Sequence, residues 1–205
     1  MRRITSVYLT LFAVLMGAST PIAADEAKAT FAGGCFWCME PPYDKLDGVK
    51  STISGYSGGD TVEPSYKQVA SGGTGHAEVV QVIYDPEAVS YSQLLDVYWR
   101  NVDPLDGGGQ FCDRGSPYRP VIFYHDDDQR RLAEQSKRKL ADSGRFDQPI
   151  EVAIEPMEAF YRAEEYHQNY YEKNSIRYSY YRASCGRDDR LKEVWGDEAG
   201  GESAS

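Results

Sequence analysis

The sequence predicts an α+β fold, a two-layer α/β sandwich in which helices flank a mixed central sheet. Extended and helical patterns alternate along the chain, and no internal repeat or low-complexity tract interrupts them. The length of 205 residues also suits one domain with a sizeable core. We therefore expect a single domain rather than a chain of modules.

The first half of this domain begins with a β-compatible run over residues 30–32. Apolar residues at helical intervals then predict a helix over 36–46, which two internal prolines are expected to kink. Runs over 49–56 and 77–84 predict strands, because each ends in a turn sequence, Ser-Gly-Gly-Asp for the first and Asp-Pro for the second.

The second half opens with a helix from Ser90 to about residue 101, since the spacing of Ser90 to Gln93 predicts a capping box. A glycine-rich loop over 103–120 is too long for a simple connection and is expected to carry function. The remaining patterns predict a strand over 121–125, a charged helix over 127–142, a strand over 150–154 and an aromatic-rich helix over 159–173. From about residue 174 we expect a long irregular C-terminal tail, with a short turn near 191–195.

The first 24 residues are predicted to be a signal peptide. Two arginines precede an apolar run over 7–16, and small residues over 19–24 end in Ala23 and Ala24, after either of which we expect cleavage. An uncleaved anchor is the alternative, although the run is short for a bilayer span of about 20 residues. The expected mature protein is residues 25–205, a periplasmic or secreted monomer without stable membrane insertion.

The formal net charge of −10 restricts the partners of this chain. An acidic surface repels the phosphates of nucleic acids and the headgroups of anionic membranes. We therefore expect neither nucleic acid nor a membrane surface as a partner.

The segment around Cys35 is the most informative part of the sequence. Cys35 follows a glycine pair where a strand is predicted to turn into a helix, and Cys38 lies one helical turn further on. The helix dipole predicts a pKa of Cys35 below the usual value of about 8.5. A structural or zinc-binding role is the alternative, but Cys112 and Cys185 are isolated and the histidines are scattered. The pattern favours redox or nucleophilic chemistry without a metal.

Seven sequence blocks occur in the order seen in type A peptide methionine sulfoxide reductases, and the chain resembles that family over residues 30–186. The resemblance implies reduction of methionine S-sulfoxide, free or in oxidised proteins, without a metal or an organic cofactor. The blocks are Gly34-Cys35-Phe36-Trp37, Gly55-Tyr56-Ser57-Gly58-Gly59, Pro64-Ser65-Tyr66, Gly75-His76-Ala77-Glu78-Val79-Val80, Asp103-Pro104, Asp113-Arg114-Gly115-Ser116-Pro117-Tyr118-Arg119 and Ala163-Glu164-Glu165-Tyr166-His167-Gln168.

Sulfoxide reduction needs a nucleophile at sulfur and a proton for the oxygen. Cys35 supplies the nucleophile, and Glu78 can supply the proton because burial in an apolar strand would raise its pKa. From periodicity alone, Glu78 reads more readily as a solvent-facing carboxylate. The resemblance reverses that preference and makes Glu78 the expected acid.

The resemblance implies further roles around this pair. Tyr66 and Tyr118 resemble two phenols that hydrogen-bond the sulfoxide oxygen, and Asp113 resembles a carboxylate that holds a water. Phe36 and Trp37 resemble the aromatic wall that takes the ε-methyl group of the substrate, although ordinary core packing is the alternative for both. His76 and His167 are expected to be structural, and His125 is expected to lie on the surface.

Oxygen transfer should leave Cys35 as a sulfenic acid, which a second thiol condenses with to give a disulfide. We rank Cys185 first as this resolving thiol, Cys38 second and Cys112 third. Thioredoxin or another dithiol is the expected reductant and partner, since an exported enzyme must be supplied with electrons.

Two other readings of the cysteines stay open. In one, the chain is a thiol-disulfide oxidoreductase with Cys35 and Cys38 as its redox pair. In the other, it is a non-catalytic binding protein stabilised by disulfides. An assay of methionine sulfoxide reduction with dithiothreitol separates the three possibilities.

Overall fold

Six strands form the central sheet of the computed structural model, which describes residues 26–201. They are β1 (Ala27–Ala32), β2 (Val49–Ser57), β3 (Ala77–Tyr84), β6 (Val121–Tyr124), β7 (Ala153–Pro156) and β8 (Tyr161–Arg162). Their spatial order is β7-β6-β1-β3-β2-β8. The β6–β7 pair is parallel and the other pairs are antiparallel, so the predicted mixed sheet is confirmed.

Two shorter strands form a small hairpin in the glycine-rich loop, β4 (Gly109–Gln110) and β5 (Asp113–Arg114). Seven helices complete the described chain: α1 (Phe36–Asp44), α2 (Tyr66–Ala70), α3 (Tyr91–Arg100), α4 (Asp127–Ala141), α5 (Tyr170–Lys173), α6 (Ser175–Ser184) and α7 (Arg187–Trp195). Three 3-10 turns lie at Ser116–Tyr118, Glu165–His167 and Gly196–Glu198. Over residues 26–201, no helix has the length and apolar character that a membrane span requires.

The larger core lies between the sheet and the helices α1 and α3. Phe31 of β1 is fully buried there, with its ring centroid 5.3 Å from the rings of both Tyr43 and Tyr98. Val80 and Val82 of β3 belong to the same cluster. Alternate residues of β1 and β3 face this side, because successive side chains of a strand point to opposite faces of a sheet.

The opposite face of the sheet is buried as well. Ala77 and Val79 of β3 pack there with Phe123, and Met157 and Phe160 from the segment before β8 cover them. Both faces of the central strands are therefore buried from solvent, which explains why β1 and β3 carry apolar residues on both sides.

Several predicted boundaries are confirmed. The strand over 77–84 has the predicted ends, and α3 begins after Ser90, whose Oγ accepts a hydrogen bond from the backbone N–H of Gln93 at 3.3 Å. The helix with two internal prolines ends at Asp44, two residues earlier than predicted. These segments were readable because local sequence and tertiary packing favour the same conformation.

The predicted helix over 159–173 is wrong. A short strand, a 3-10 turn and the short helix α5 replace it. Gln168 ties this segment to the sheet, because its side chain accepts from Ser54 N–H at 3.0 Å and donates to Ser54 C=O at 2.9 Å. These tertiary hydrogen bonds override the helical spacing of the aromatic residues.

The predicted irregular tail is also wrong, since α6 and α7 occupy most of it. The strand expected over 150–154 is shifted to Ala153–Pro156. The predicted signal peptide, residues 1–24, lies outside the described residues.

Candidate active site

Cys35 lies at the junction between β1 and α1. Gly34 has φ of +83°, a conformation that L side chains rarely adopt, and a Cβ at Gly33 would lie 2.8 Å from Met39 Sδ. This tight turn places Cys35 at the N-cap of α1, where its side chain makes no capping hydrogen bond. The sulfur is therefore free for chemistry beside the first N–H groups of the helix.

Glu78 performs the capping that Cys35 does not. Its Oε2 accepts a hydrogen bond from the backbone N–H of Phe36 at 3.1 Å, from the start of the neighbouring strand β3. The side chain is only 2% exposed. Burial raises the pKa of Glu78 to about 8, and the negative charge of Asp113 adds to the effect. A protonated carboxyl thus lies next to Cys35 near neutral pH.

Cys35 and Cys38 are both buried and reduced, and we call them the inner pair. A side-chain hydrogen bond joins them and lowers the pKa of Cys38 to about 6, whereas burial raises the pKa of Cys35 well above its usual value. The predicted lowering at Cys35 is therefore wrong, because desolvation outweighs the helix dipole. Of the two sulfurs, Cys38 is therefore the one that ionises more readily.

Two phenols lie on the side of Glu78. Tyr66 begins α2 and Tyr118 ends the 3-10 turn at Ser116–Tyr118. Burial, followed by the nearby charge of Glu78, raises the pKa of Tyr66 to about 12 and raises the pKa of Tyr118. Both hydroxyls stay protonated and can donate hydrogen bonds to an oxygen held between Cys35 and Glu78.

Glu164 fixes the position of Tyr66. Its Oε1 accepts from the backbone N–H of Tyr66 at 2.8 Å, and its Oε2 accepts from the hydroxyl of Tyr56 at 2.8 Å. Tyr56 is paired with Glu78 across β2 and β3. One carboxylate thus links α2 to the strands that carry the proton donor.

An aromatic wall adjoins the thiols. Trp37 stacks on Tyr170 with centroids 3.7 Å apart, and its Nε1 donates to His167 Nδ1 at 3.1 Å. The ring of Phe36 lies 4.9 Å from His167 and 6.1 Å from Tyr56. These contacts lock an apolar surface that suits a methyl group attached to sulfur.

Asp113 lies on β5, the second strand of the small hairpin. The Tyr181 hydroxyl donates to Asp113 Oδ2 at 2.5 Å, and the Tyr181 ring meets Trp37 edge-on at 5.7 Å. Burial raises the pKa of Asp113, and the hydrogen bond from Tyr181 opposes that shift. Asp113 contributes negative potential at both Cys35 and Cys38.

Cys112 and Cys185 are joined by a disulfide, and we call them the outer pair. Cys112 is exposed, and Cys185 Sγ lies 4.0 Å from Asp113 Oδ2. The donor atoms of Cys112, Asp113 and Cys185 lie within 4.8 Å of one another, but the two sulfurs are bonded to each other and not free for a metal. The outer pair thus lies between the site and solvent.

The structure brings the five predicted catalytic residues and the two predicted wall residues into one site. The resolving roles of Cys185, Cys38 and Cys112 remain predictions. The sequence did not single out Tyr181, Glu164 and Arg187 as site residues. Glu164 lies in the segment predicted to be an aromatic-rich helix, and Tyr181 and Arg187 lie in the predicted irregular tail. His76 is structural as expected, since its ring bonds Gly59 N–H and Thr61 C=O.

The chain matches a known protein family. A family model described as "Peptide methionine sulfoxide reductase" matches residues 27–199. A relative named "Peptide methionine sulfoxide reductase MsrA" from Bacillus licheniformis is 52% identical over 175 residues, which is 85% of this chain and 97% of the relative. Another of the same name from Ligilactobacillus salivarius is 53% identical over 167 residues, 82% of this chain and 96% of the relative.

Two solved structures are similar as well. Mxr1 from Saccharomyces cerevisiae in reduced form aligns with a TM-score of 0.68 at 35% identity, over 77% of this chain and 90% of that chain. Methionine sulfoxide reductase A of Corynebacterium diphtheriae aligns with a TM-score of 0.67 at 29% identity, over 79% of this chain and 81% of that chain.

Proposed function

Because this chain belongs to the peptide methionine sulfoxide reductase family, we propose that it reduces methionine S-sulfoxide, free or in proteins, with Cys35 as the nucleophile. One observation carries the assignment. Cys35 occupies the N-cap position of α1, directly before the Phe36 N–H that binds Glu78, so a nucleophilic sulfur and a buried proton donor are neighbours. This pairing matches the two requirements of sulfoxide reduction.

The first step transfers oxygen. The proton of Cys35 passes along its hydrogen bond to Cys38, and the Cys35 thiolate attacks the sulfoxide sulfur. Glu78 gives its proton to the sulfoxide oxygen, which moves to Cys35. Methionine leaves as the thioether, and Cys35 becomes a sulfenic acid, so sulfur of the substrate is reduced and sulfur of Cys35 is oxidised.

The surrounding residues orient the substrate. Tyr66 and Tyr118 donate hydrogen bonds to the oxygen, where negative charge develops as the sulfur is attacked. Phe36 and Trp37 hold the methyl group. A chiral sulfoxide with its methyl and oxygen fixed presents its sulfur to Cys35 in only one configuration, which we assign to the S epimer.

Cys38 resolves the sulfenic acid. It lies one helical turn from Cys35 and is already hydrogen-bonded to it, whereas Cys185 is bonded to Cys112. The Cys38 sulfur attacks the Cys35 sulfur, an S–S bond forms, and the oxygen leaves as water with the proton of Cys38. We therefore propose Cys38 as the resolving thiol, although the sequence ranked Cys185 first.

The outer pair carries electrons from solvent to the inner pair. Cys35 and Cys38 are 6% and 2% exposed, so a macromolecular reductant cannot reach a disulfide between them, whereas Cys112 is exposed. Reduced Cys112 and Cys185 exchange with the inner disulfide, regenerate two thiols and become a disulfide themselves. A thioredoxin-like dithiol then reduces the outer pair. The enzyme needs no metal or organic cofactor for this series of reactions.

Residues 1–24 are proposed to direct export and to be removed, which places a monomeric enzyme in the periplasm or outside the cell. These compartments are oxidising, so a dedicated dithiol donor is required there. The substrates are oxidised proteins of the same compartment and free methionine sulfoxide.

Dithiothreitol-dependent reduction of resolved methionine sulfoxide epimers tests the function. The wild type should convert the S epimer and leave the R epimer, and Cys35→Ser should convert neither. Equal activity of Cys35→Ser, or conversion of the R epimer alone, contradicts the proposal. The burial of the inner pair argues against a general thiol-disulfide oxidoreductase, which must meet disulfides of other proteins.

A further inference from the structure

Arg187 is a buried cation beside the active site with no assigned function. It opens α7, two residues after Cys185, and is 1% exposed. Its Nη2 donates to Asn101 C=O at 2.7 Å and to Gly33 C=O at 3.1 Å, and lies 3.0 Å from Met39 Sδ. The guanidinium therefore spans the turn that carries the inner pair, because Gly33 precedes that turn and Met39 follows it.

The same guanidinium reaches the outer pair. The guanidinium carbon lies 4.4 Å from the ring centroid of Phe111, the residue before Cys112. Arg187 also lies two residues after Cys185, with only Gly186 between them. One side chain thus touches or adjoins the segments of all four cysteines. A rigid planar fork is well suited to such multiple contacts.

The charge of Arg187 has no carboxylate partner. Among residues 26–201, no acidic group lies within ion-pair distance of it, and its buried Nε has no hydrogen-bond partner. A buried arginine is almost always paired, because desolvating an uncompensated charge costs several kcal/mol. Asp113 interacts with the charge of Arg187 only from beyond ion-pair distance, so a further counter-ion is expected.

The inner pair offers such an anion, because Arg187 contacts Met39, the residue after Cys38, and its charge lowers the pKa of Cys38. The charged and titratable groups that act on Cys38 from the surrounding elements, besides Cys35, are Glu78, Asp113, Tyr178, Tyr181, Arg182 and Arg187. The two carboxyls disfavour a thiolate and the two arginines favour it. Arg182 already has a carboxylate partner, since its Nη2 lies 2.5 Å from Asp188. Arg187 alone of these cations is left without one.

We propose that Arg187 is a positioning residue whose guanidinium is the counter-ion of the inner-pair thiolate at Cys38. The inference rests on the proposed function for its role in turnover, because an ionised Cys38 can both take the proton of Cys35 and close the disulfide. The hydrogen bond from Cys35 and then the charge of Arg187 lower the pKa of Cys38 to about 6, against the effect of burial. Arginine stays charged at all relevant pH values and so keeps the pair singly ionised.

The ultraviolet absorbance of the thiolate tests the proposal in the full-length enzyme, with the outer disulfide intact and no substrate present. The wild type should show a thiolate that titrates near pH 6 and is lost in Cys38→Ser. Arg187→Met should move this midpoint upward by about one pH unit or more, which is about tenfold less thiolate at a fixed low pH. Arg187→Lys should keep the midpoint close to the wild-type value. Lys192→Met, which removes a charge from the exposed face of α7, should leave the midpoint unchanged.

The outcomes separate electrostatics from folding. A wild type without a Cys38-dependent thiolate below neutral pH overturns the proposal even if no Arg187 variant folds. Arg187→Met and Arg187→Lys with equal losses of thermal stability and unchanged titrations would make Arg187 a structural residue only, which also overturns it. An enzyme that shifts its titration as expected but reduces no sulfoxide supports this inference and refutes the proposed function.

Discussion

The Glu78 carboxyl accepts a hydrogen bond from the backbone N–H of Phe36 at 3.1 Å, which ties the start of β3 to the start of α1. Because Phe36 directly follows Cys35, this bond fixes the distance between Cys35, the proposed nucleophile, and Glu78, the proposed proton donor. A buried carboxyl that accepts only one N–H bond is not well stabilised as an anion, so it holds its proton.

Glu78→Gln should keep the fold and lose most of the sulfoxide reductase activity. The Gln carbonyl oxygen can still accept the Phe36 N–H bond, but the amide N–H is too weak an acid to transfer its proton. We expect single-turnover methionine release at neutral pH to slow by about 10²-fold or more, the usual scale for loss of a general acid. Circular dichroism should be unchanged. A rate within about twofold of the wild type would assign proton delivery to Tyr66 or Tyr118.

The pH dependence of oxygen transfer should follow Glu78. Its protonated form is active, so the single-turnover rate should fall as pH rises through about 8. Glu78→Gln should lack this descending limb while retaining its low rate. A rate that stays constant well above pH 8 in the wild type would contradict the assignment.

The same shift predicts a stability difference. The folded-state pKa of Glu78 is above its usual value of 4.5, so the folded state binds the proton more tightly than the unfolded state. The free energy of unfolding of the wild type should therefore decrease between about pH 4.5 and pH 8, relative to Glu78→Gln. Urea denaturation of both proteins across this range measures it, and parallel curves would refute the shift.

Trp37→Phe should weaken substrate binding more than catalysis. The smaller ring loses the hydrogen bond to His167 and part of the stack on Tyr170, so the methyl wall is less fixed. We expect KM to rise by about fivefold, equivalent to about 1 kcal/mol, with kcat little changed. Trp99→Phe is the matched control, because it loses an indole bond to Ser136 far from the thiols and should leave KM unchanged.

Cys112→Ser and Cys185→Ser should separate the two cysteine pairs. Each variant should still release methionine and form the Cys35–Cys38 disulfide, as peptide mapping can show. Turnover with thioredoxin should fall on the order of tenfold or more, because the buried inner disulfide is out of its reach, while the small reductant dithiothreitol should still support turnover. Normal thioredoxin-dependent turnover of both variants would remove the outer pair from the pathway.

Much of the fold could be predicted from the sequence where local pattern and burial coincide. The strand Ala77–Tyr84 and the Ser90 cap are examples, since their signals lie within a few residues. The nucleophile was also readable, because a glycine turn before Cys35 has a local signature.

Other features depend on tertiary contacts that no local pattern records. None of the residues of α6 is buried, so it has no apolar stripe to read, and α7 begins with Arg187 at a buried position where an apolar residue would be expected. The pKa of Cys35 was predicted in the wrong direction because the sequence shows the helix terminus but not the depth of burial. The disulfide between Cys112 and Cys185 spans 73 residues and lies equally outside local reasoning.

The central claim is that Cys35 itself takes the oxygen of methionine S-sulfoxide. The most direct measurement is rapid-quench mass spectrometry of Cys38→Ser, which removes the proposed resolving thiol, after mixing with the resolved S epimer. We expect one methionine released per enzyme and one added oxygen on the Cys35 peptide as trapped sulfenic acid, with no reaction of the R epimer. Methionine release without oxidation of Cys35, or with the oxygen on another residue, would contradict it.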